Sequence, residues 1–149
     1  MANNPFFADA TAAAALNAIA ALANGGVINV YGGTQPADAN TAVTSQTLLV
    51  TLTLANPAFV TITNPASNGS GTAPNRVETI TANAIGSGTV PGTVVGTQTA
   101  TWFRMLASGG AVVLDGSVGT SGCDLNLTSV SLSSGNVVSV SGFTITQPE

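Results

Sequence analysis

The chain has 149 residues and a formal net charge of −4, with 44% of its residues hydrophobic and only 5% charged. Two Arg, no Lys, no His and one Cys exclude the usual bases of nucleophilic and acid–base catalysis, Cys/His zinc centres, an internal disulfide and the basic patch required by nucleic acid or an anionic membrane surface. The length suits one domain with a sizeable core, and high hydrophobicity with low net charge is the reverse of the disorder signature.

Residues 1–8 read as an N-terminal arm that carries the adjacent aromatics Phe6 and Phe7. Met1 to Pro5 has no basic side chain ahead of the apolar run, so no secretory signal is expected. Ala10 to Ala23 is 14 residues long, short of the roughly 20 needed to cross a bilayer. Its Ala-rich composition predicts a helix over 9–24, with Asp9 or Thr11 as N-cap. Leu16, Ile19, Ala20 and Ala23 mark one face, and Asn24-Gly25-Gly26 is the stop.

Beyond Gly26 the period becomes two. Strands are expected at Val27 to Tyr31, Thr47 to Ala55, Ala58 to Thr63, Val77 to Ile85, Thr97 to Ala107, Ala111 to Asp115, Leu125 to Leu132 and Val137 to Thr146. Gln35 to Thr44, Asn64 to Asn75 and Gly86 to Gly96 read as loops. Ser108-Gly109-Gly110 makes a hairpin of the two strands around it. The fold class that follows is mainly β: an antiparallel β-sandwich of about eight strands, jelly-roll-like, with one N-terminal α-helix. Residues 9–149 form a single domain, with the sandwich over 27–147.

No constellation carries a reaction. Asp115 and Asp124 are the acids nearest in sequence, and a carboxylate pair can cleave glycosides; the simpler reading places each at a turn beside Gly, bonding local backbone. A Ca ion on Asp38 or Asp124 lacks the alternating ligand pattern. Gly-rich stretches lack the Lys of a phosphate cradle. Thr-x-Thr recurs with offsets of 10, 18, 18 and 47, too irregular for a solenoid, so these Thr residues are expected on solvent-facing or neighbour-facing sides of strands. Cys123 reads as an inert, packed thiol. Alternation places Trp102, Arg104 and Leu106 on one side of the long strand and Phe103 and Met105 on the other. An Arg among apolar residues requires a carboxylate or carbonyl partner, in this chain or in a neighbouring subunit. Catalytic, cofactor and metal residues are therefore none, and Phe6, Phe7 and Arg104 are the candidate interface residues.

Four segments carry a resemblance: Val27-Ile-Asn-Val-Tyr-Gly-Gly-Thr-Gln-Pro-Ala-Asp38, Leu48-Leu-Val-Thr-Leu-Thr-Leu-Ala-Asn-Pro-Ala-Phe59, Trp102-Phe-Arg104 and Gly116-Ser-Val-Gly-Thr-Ser-Gly-Cys-Asp-Leu-Asn-Leu127. Together they resemble small virion proteins encoded among the head and tail genes of tailed bacteriophages, over residues 27–147. Cys123 stands where a small residue is expected. The resemblance supplies no catalytic residue and no cofactor. It implies a structural protein of the phage particle, assembled in the host cytoplasm, with a capsid decoration (cement) role ahead of a tail-tube, head–tail joining or fibre-associated one. A surface adhesin module is the alternative outside phages. The implied partners are the major capsid protein or other virion proteins and further copies of the chain, as a trimer or dimer, without nucleic acid or membrane.

Overall fold

The computed structural model describes residues 7–63 and 77–148. Phe6, most of the expected arm and the expected excursion from Asn64 to Asn75 lie outside the described residues. A single helix, α1 (Asp9–Ala23), precedes β1 (Val27–Gly32), β2 (Thr47–Thr53), β3 (Val77–Thr81), β4 (Gly88–Thr89), β5 (Thr97–Leu106), β6 (Val112–Gly119), β7 (Leu125–Leu127), β8 (Ser131–Ser133), β9 (Val137–Val138) and β10 (Val140–Pro148). The chain is thus mainly β, a sandwich of largely antiparallel strands with one N-terminal helix.

Neither expected cap operates on α1. The N-cap is Ala8, whose methyl group cannot accept a hydrogen bond, and its carbonyl accepts from the N–H groups of Thr11 and Ala12. Asp9 instead lies in the first turn, where a negative charge suits the helix dipole. At the other end Gly25 takes φ +63°, the left-handed conformation that stops the helix as expected. Gly26 packs so closely on the carbonyl of Leu106 that a Cβ has no room. Leu16, Ala20 and Ala23 are buried on the expected face, joined by Ala12 and Ala13, and Ile19 packs at its margin.

Eight strands form one sheet in the order β2-β1-β5-β6-β7-β10-β3, with β8 pairing the start of β5, while β4 and β9 form a separate pair. Every pairing is antiparallel except β6 with β7. The sheet folds over on itself. In a flat sheet β5 and β10 would stand about 14 Å apart, three ladder spacings, yet the rings of Phe103 and Phe143 meet edge to face at 5.5 Å. Ile28 and Val30 of β1, Leu52 of β2, Met105 of β5, Ile80 of β3 and Leu125 of β7 line the same interior, which the apolar face of α1 closes.

Irregularities shape this sheet. The β1–β2 register shifts between Val30 and Tyr31, so Leu49 and Val50 are both buried although adjacent. Ala58 to Thr63 is not a strand: it makes a single bridge, Phe59 to Ala82. Around that bridge Val60 N donates to Thr81 O and Ala58 O accepts from Asn83 N, while side chains take the rest: Asn24 Oδ1 accepts from Ala58 N and the Asn17 amide bonds both Ile62 N and Ile62 O. The expected strand from Val77 ends at Thr81, because Asn83 N turns to Ala58 O. The Leu125 and Val137 runs each divide in two, and the 86–96 loop contains β4.

Candidate functional site: the outer face of β1, β5 and β6

Arg104 and Trp102 are set by alternation on the face of β5 opposite Phe103 and Met105, as the sequence predicts, and both are buried. Ladder register builds two rows across this face. Asn29 of β1, Arg104 of β5 and Asp115 of β6 stand side by side, with Tyr31, Trp102 and Ser117 in the next row. Thr51 of β2 extends the first row, its hydroxyl donating to Asn29 Oδ1 at 2.8 Å.

The centre is a two-pronged ion pair. Arg104 Nε donates to Asp115 Oδ1 and Nη2 to Oδ2, both at 2.7 Å, and the two side chains are 6% and 3% exposed. Nη2 also donates to the carbonyl of Thr41 at 3.0 Å. The hydrogen bond to Asp115 holds the guanidinium above its ordinary range in spite of burial. Its carbon lies 5.6 Å from the centre of the Trp102 ring, and Tyr31 stacks on Trp102 at 4.5 Å with 13° between planes. Trp102 Nε1 is buried without an acceptor, so packing and stacking hold the indole.

The segment between β1 and β2 covers this face. Asp38 Oδ1 accepts from Asn40 N and Thr41 N at 2.7 and 2.9 Å, an Asx turn that fixes the Thr41 carbonyl over Arg104. Thr101, at a register shift in the β1–β5 pairing, donates its hydroxyl to Gly33 O at 2.6 Å. The cluster is therefore a latch that ties the 33–46 segment to the sheet.

Arg104 thus finds both expected kinds of partner, a carboxylate and a carbonyl, inside its own chain. Asp115 is not at a turn; it lies within β6, opposite Arg104. Asp124 does bond local groups: Oδ2 accepts from Ser117 N at 2.8 Å and Ser117 Oγ at 2.7 Å. Those donors, the N–H foremost, hold its carboxyl below the usual range. Both acids border one cleft of about 240 Å³ with Phe103, Leu114, Phe143 and Thr144 to Thr146. A glycosidase-type pair needs one carboxyl kept protonated. Here Asp115 is engaged on both oxygens by a cation and Asp124 is held ionised. Among the described residues no three potential ligands converge on a metal position.

Phe7 is 46% exposed. Cys123 is half-buried, and its N–H and C=O both bond the Asn126 side chain. Thr79 and Thr81 stand opposite Thr146 and Thr144, a cross-strand arrangement of Thr pairs. Asn29, Tyr31 and Thr41 were not legible as members of the Arg104 cluster. The signals in the sequence were the parity of Trp102 and Arg104 and the setting of an Arg among apolar residues. No protein-family model, curated protein or solved structure matches the chain.

Proposed function

We propose that the chain is a non-enzymatic structural subunit of a tailed-phage virion, in first place a capsid decoration (cement) protein that grips the major capsid protein and stabilises the head. The surface carries the reading. Phe7, Leu22, Val60, Val95, Val112 and Val137 are large apolar side chains left exposed on a protein with eight charged residues in all. Soluble monomers carry about 25–35% charged surface; a surface this poor in charge and dotted with apolar side chains suits burial between neighbours in an array. The resemblance of the 27–147 segments to phage virion proteins supports the same assignment. Arg104 is spent on Asp115 in a buried pair and the exposed Asp124 is engaged by Ser117 of the same chain, which leaves mainly Thr, Ser and Asn side chains for outward hydrogen bonding.

The test is to add purified protein to heads that lack it and locate it by cryo-microscopy. Ordered density on the head lattice is the expected result. Density in the tail tube, at the head–tail joint or on fibres would move the protein there, and absence from the whole particle would leave the adhesin reading. Glycan, ester and peptide substrates should survive incubation with the protein; turnover that disappears in D115N or D124N would overturn the non-enzymatic assignment.

A further inference from the structure

Two strand edges of the main sheet face each other without pairing. β6 meets β7 only through Val118 and Gly119, and β10 meets β7 only at Val140 and Phe143. Leu114 to Asp115 and Thr144 to Thr146 therefore stand on opposite walls of the cleft of about 240 Å³, over the rings of Phe103 and Phe143. Hydrogen-bond parity tells which main-chain groups look into it. Ala82 N donates to Phe143 O, so Phe143 and Ile145 turn toward β3 while Thr144 and Thr146 present N–H and C=O to the cleft. On the other wall Ser117 N is taken by Asp124, away from β5, and the same parity turns the main chain of Asp115 outward. Arg104 neutralises Asp115. The cleft thus offers main-chain donors and acceptors on both sides and the half-buried side chains of Leu114 and Ile145, with Phe103 and Phe143 sealed beneath it and the exposed, ionised Asp124 at its border. Such edges recognise an extended segment with a large apolar side chain.

We propose that this cleft accepts residues 1–7 of a second copy of the chain as an added strand. The proposal rests on the reading of the protein as a self-associating subunit. Six residues precede Phe7 in the sequence, the last of them Phe6. In a strand these neighbours point to opposite faces, so one ring meets the half-buried Leu114 and Ile145 of the cleft whichever register is taken. Phe7 is exposed, and Ala8 has extended backbone at φ −71° and ψ 148°, so the chain leaves the helix already in strand-type conformation. Seven extended residues reach about 23 Å, against about 10 Å for the stretch from Thr144 to Thr146 that borders the cleft.

The full chain with Cys123→Ser, F7C and T144C tests the proposal under mild oxidation, read by non-reducing electrophoresis and mass spectrometry. A disulfide between two chains joining positions 7 and 144 is expected. In parallel T144P, which deletes an N–H facing the cleft and spares the β3 pairing, should weaken self-association roughly tenfold, the scale of one lost hydrogen bond, at unchanged melting temperature. A disulfide closed within one chain would overturn the second copy as occupant. No disulfide in a chain that still self-associates would overturn the cleft and leave the subunit reading standing. A protein that is monomeric at every concentration, yet decorates heads, would overturn the proposal alone.

Discussion

At the scale of single residues, the buried pair of Arg104 and Asp115 is the most consequential interaction on the outer face. Removing one partner leaves the other charge buried without compensation, which costs about 3–5 kcal/mol. R104A should therefore lose that much stability in urea unfolding, followed through the fluorescence of Trp102, the chain's only Trp. The double variant R104M/D115L, which removes both charges and keeps apolar bulk, should lose less than R104A. Asp124 gives a pH signature. Its folded-state pKa is lowered by the Ser117 N–H and hydroxyl, so the unfolded state binds more protons, and its contribution is present above the unfolded value of about 3.9 and lost as pH falls through the folded one. The stability gap between the parent and D124N should be constant from neutral pH down to about 4.5 and close below about 3.9, as measured by denaturant midpoints across the range.

At the scale of elements, α1 does more than cover the core. Asn17, polar in the middle of an Ala-rich helix, bonds Ile62 N and Ile62 O at 2.8 and 2.9 Å and so docks the 58–63 segment, which bridges to the end of β3 through Phe59 and Ala82. That segment covers the end of the outer edge at Thr81 and Ala82, an exposed edge being a template for unwanted pairing. N17A should cost about 1–3 kcal/mol for main-chain groups left unsatisfied. Hydrogen exchange should show faster exchange at Ile62 and Val60 while the β5 amides remain protected. At the junction of α1 and β1, Gly26 lies against the Leu106 carbonyl. G26A forces main chain apart and should lower the melting temperature by several degrees, corresponding to about 1–3 kcal/mol of overpacking.

At the scale of the whole molecule, the proposed association through apolar and Thr/Ser-rich faces carries a distinct expected salt response. Six acids and two Arg, with Arg104 spent internally on Asp115, cannot make a charged interface. Self-association and attachment to heads should therefore change little between about 0.05 and 1 M salt, over which the Debye length falls from above 10 Å to about 3 Å. Sedimentation at the two extremes checks this. A steep loss of association with salt would mean that electrostatic steering dominates.

The sequence by itself determined the one helix, its buried face and its Gly stop, because Ala-rich 3.6-residue periodicity and a left-handed Gly are local properties of the chain. It also determined a mainly β domain, and which of Trp102, Phe103, Arg104 and Met105 share a side, because alternation along a strand needs no knowledge of neighbours. What only the tertiary structure decided was who stands opposite whom. The hairpin centred on Gly109 pairs Leu106 with Val112, and a simple continuation would bring Leu114 to Arg104. The register shift between Met105 and Leu106 inserts one residue and brings Asp115 there instead. A bulge of this kind has no sequence mark in this chain, so the ion pair, the latch on Thr41 and the placing of both acids beside one cleft could not be read from it. The same holds for Ala58 to Thr63, where Ala58 and Phe59 are both buried and Val60 and Thr61 both exposed, and where Ala58 N and both main-chain groups of Ile62 are claimed by Asn24 and Asn17, side chains 34 to 45 residues away in sequence. Local pattern fixes which face a residue shows; register and long-range hydrogen bonds, set by closure of the whole sheet, fix what that face meets.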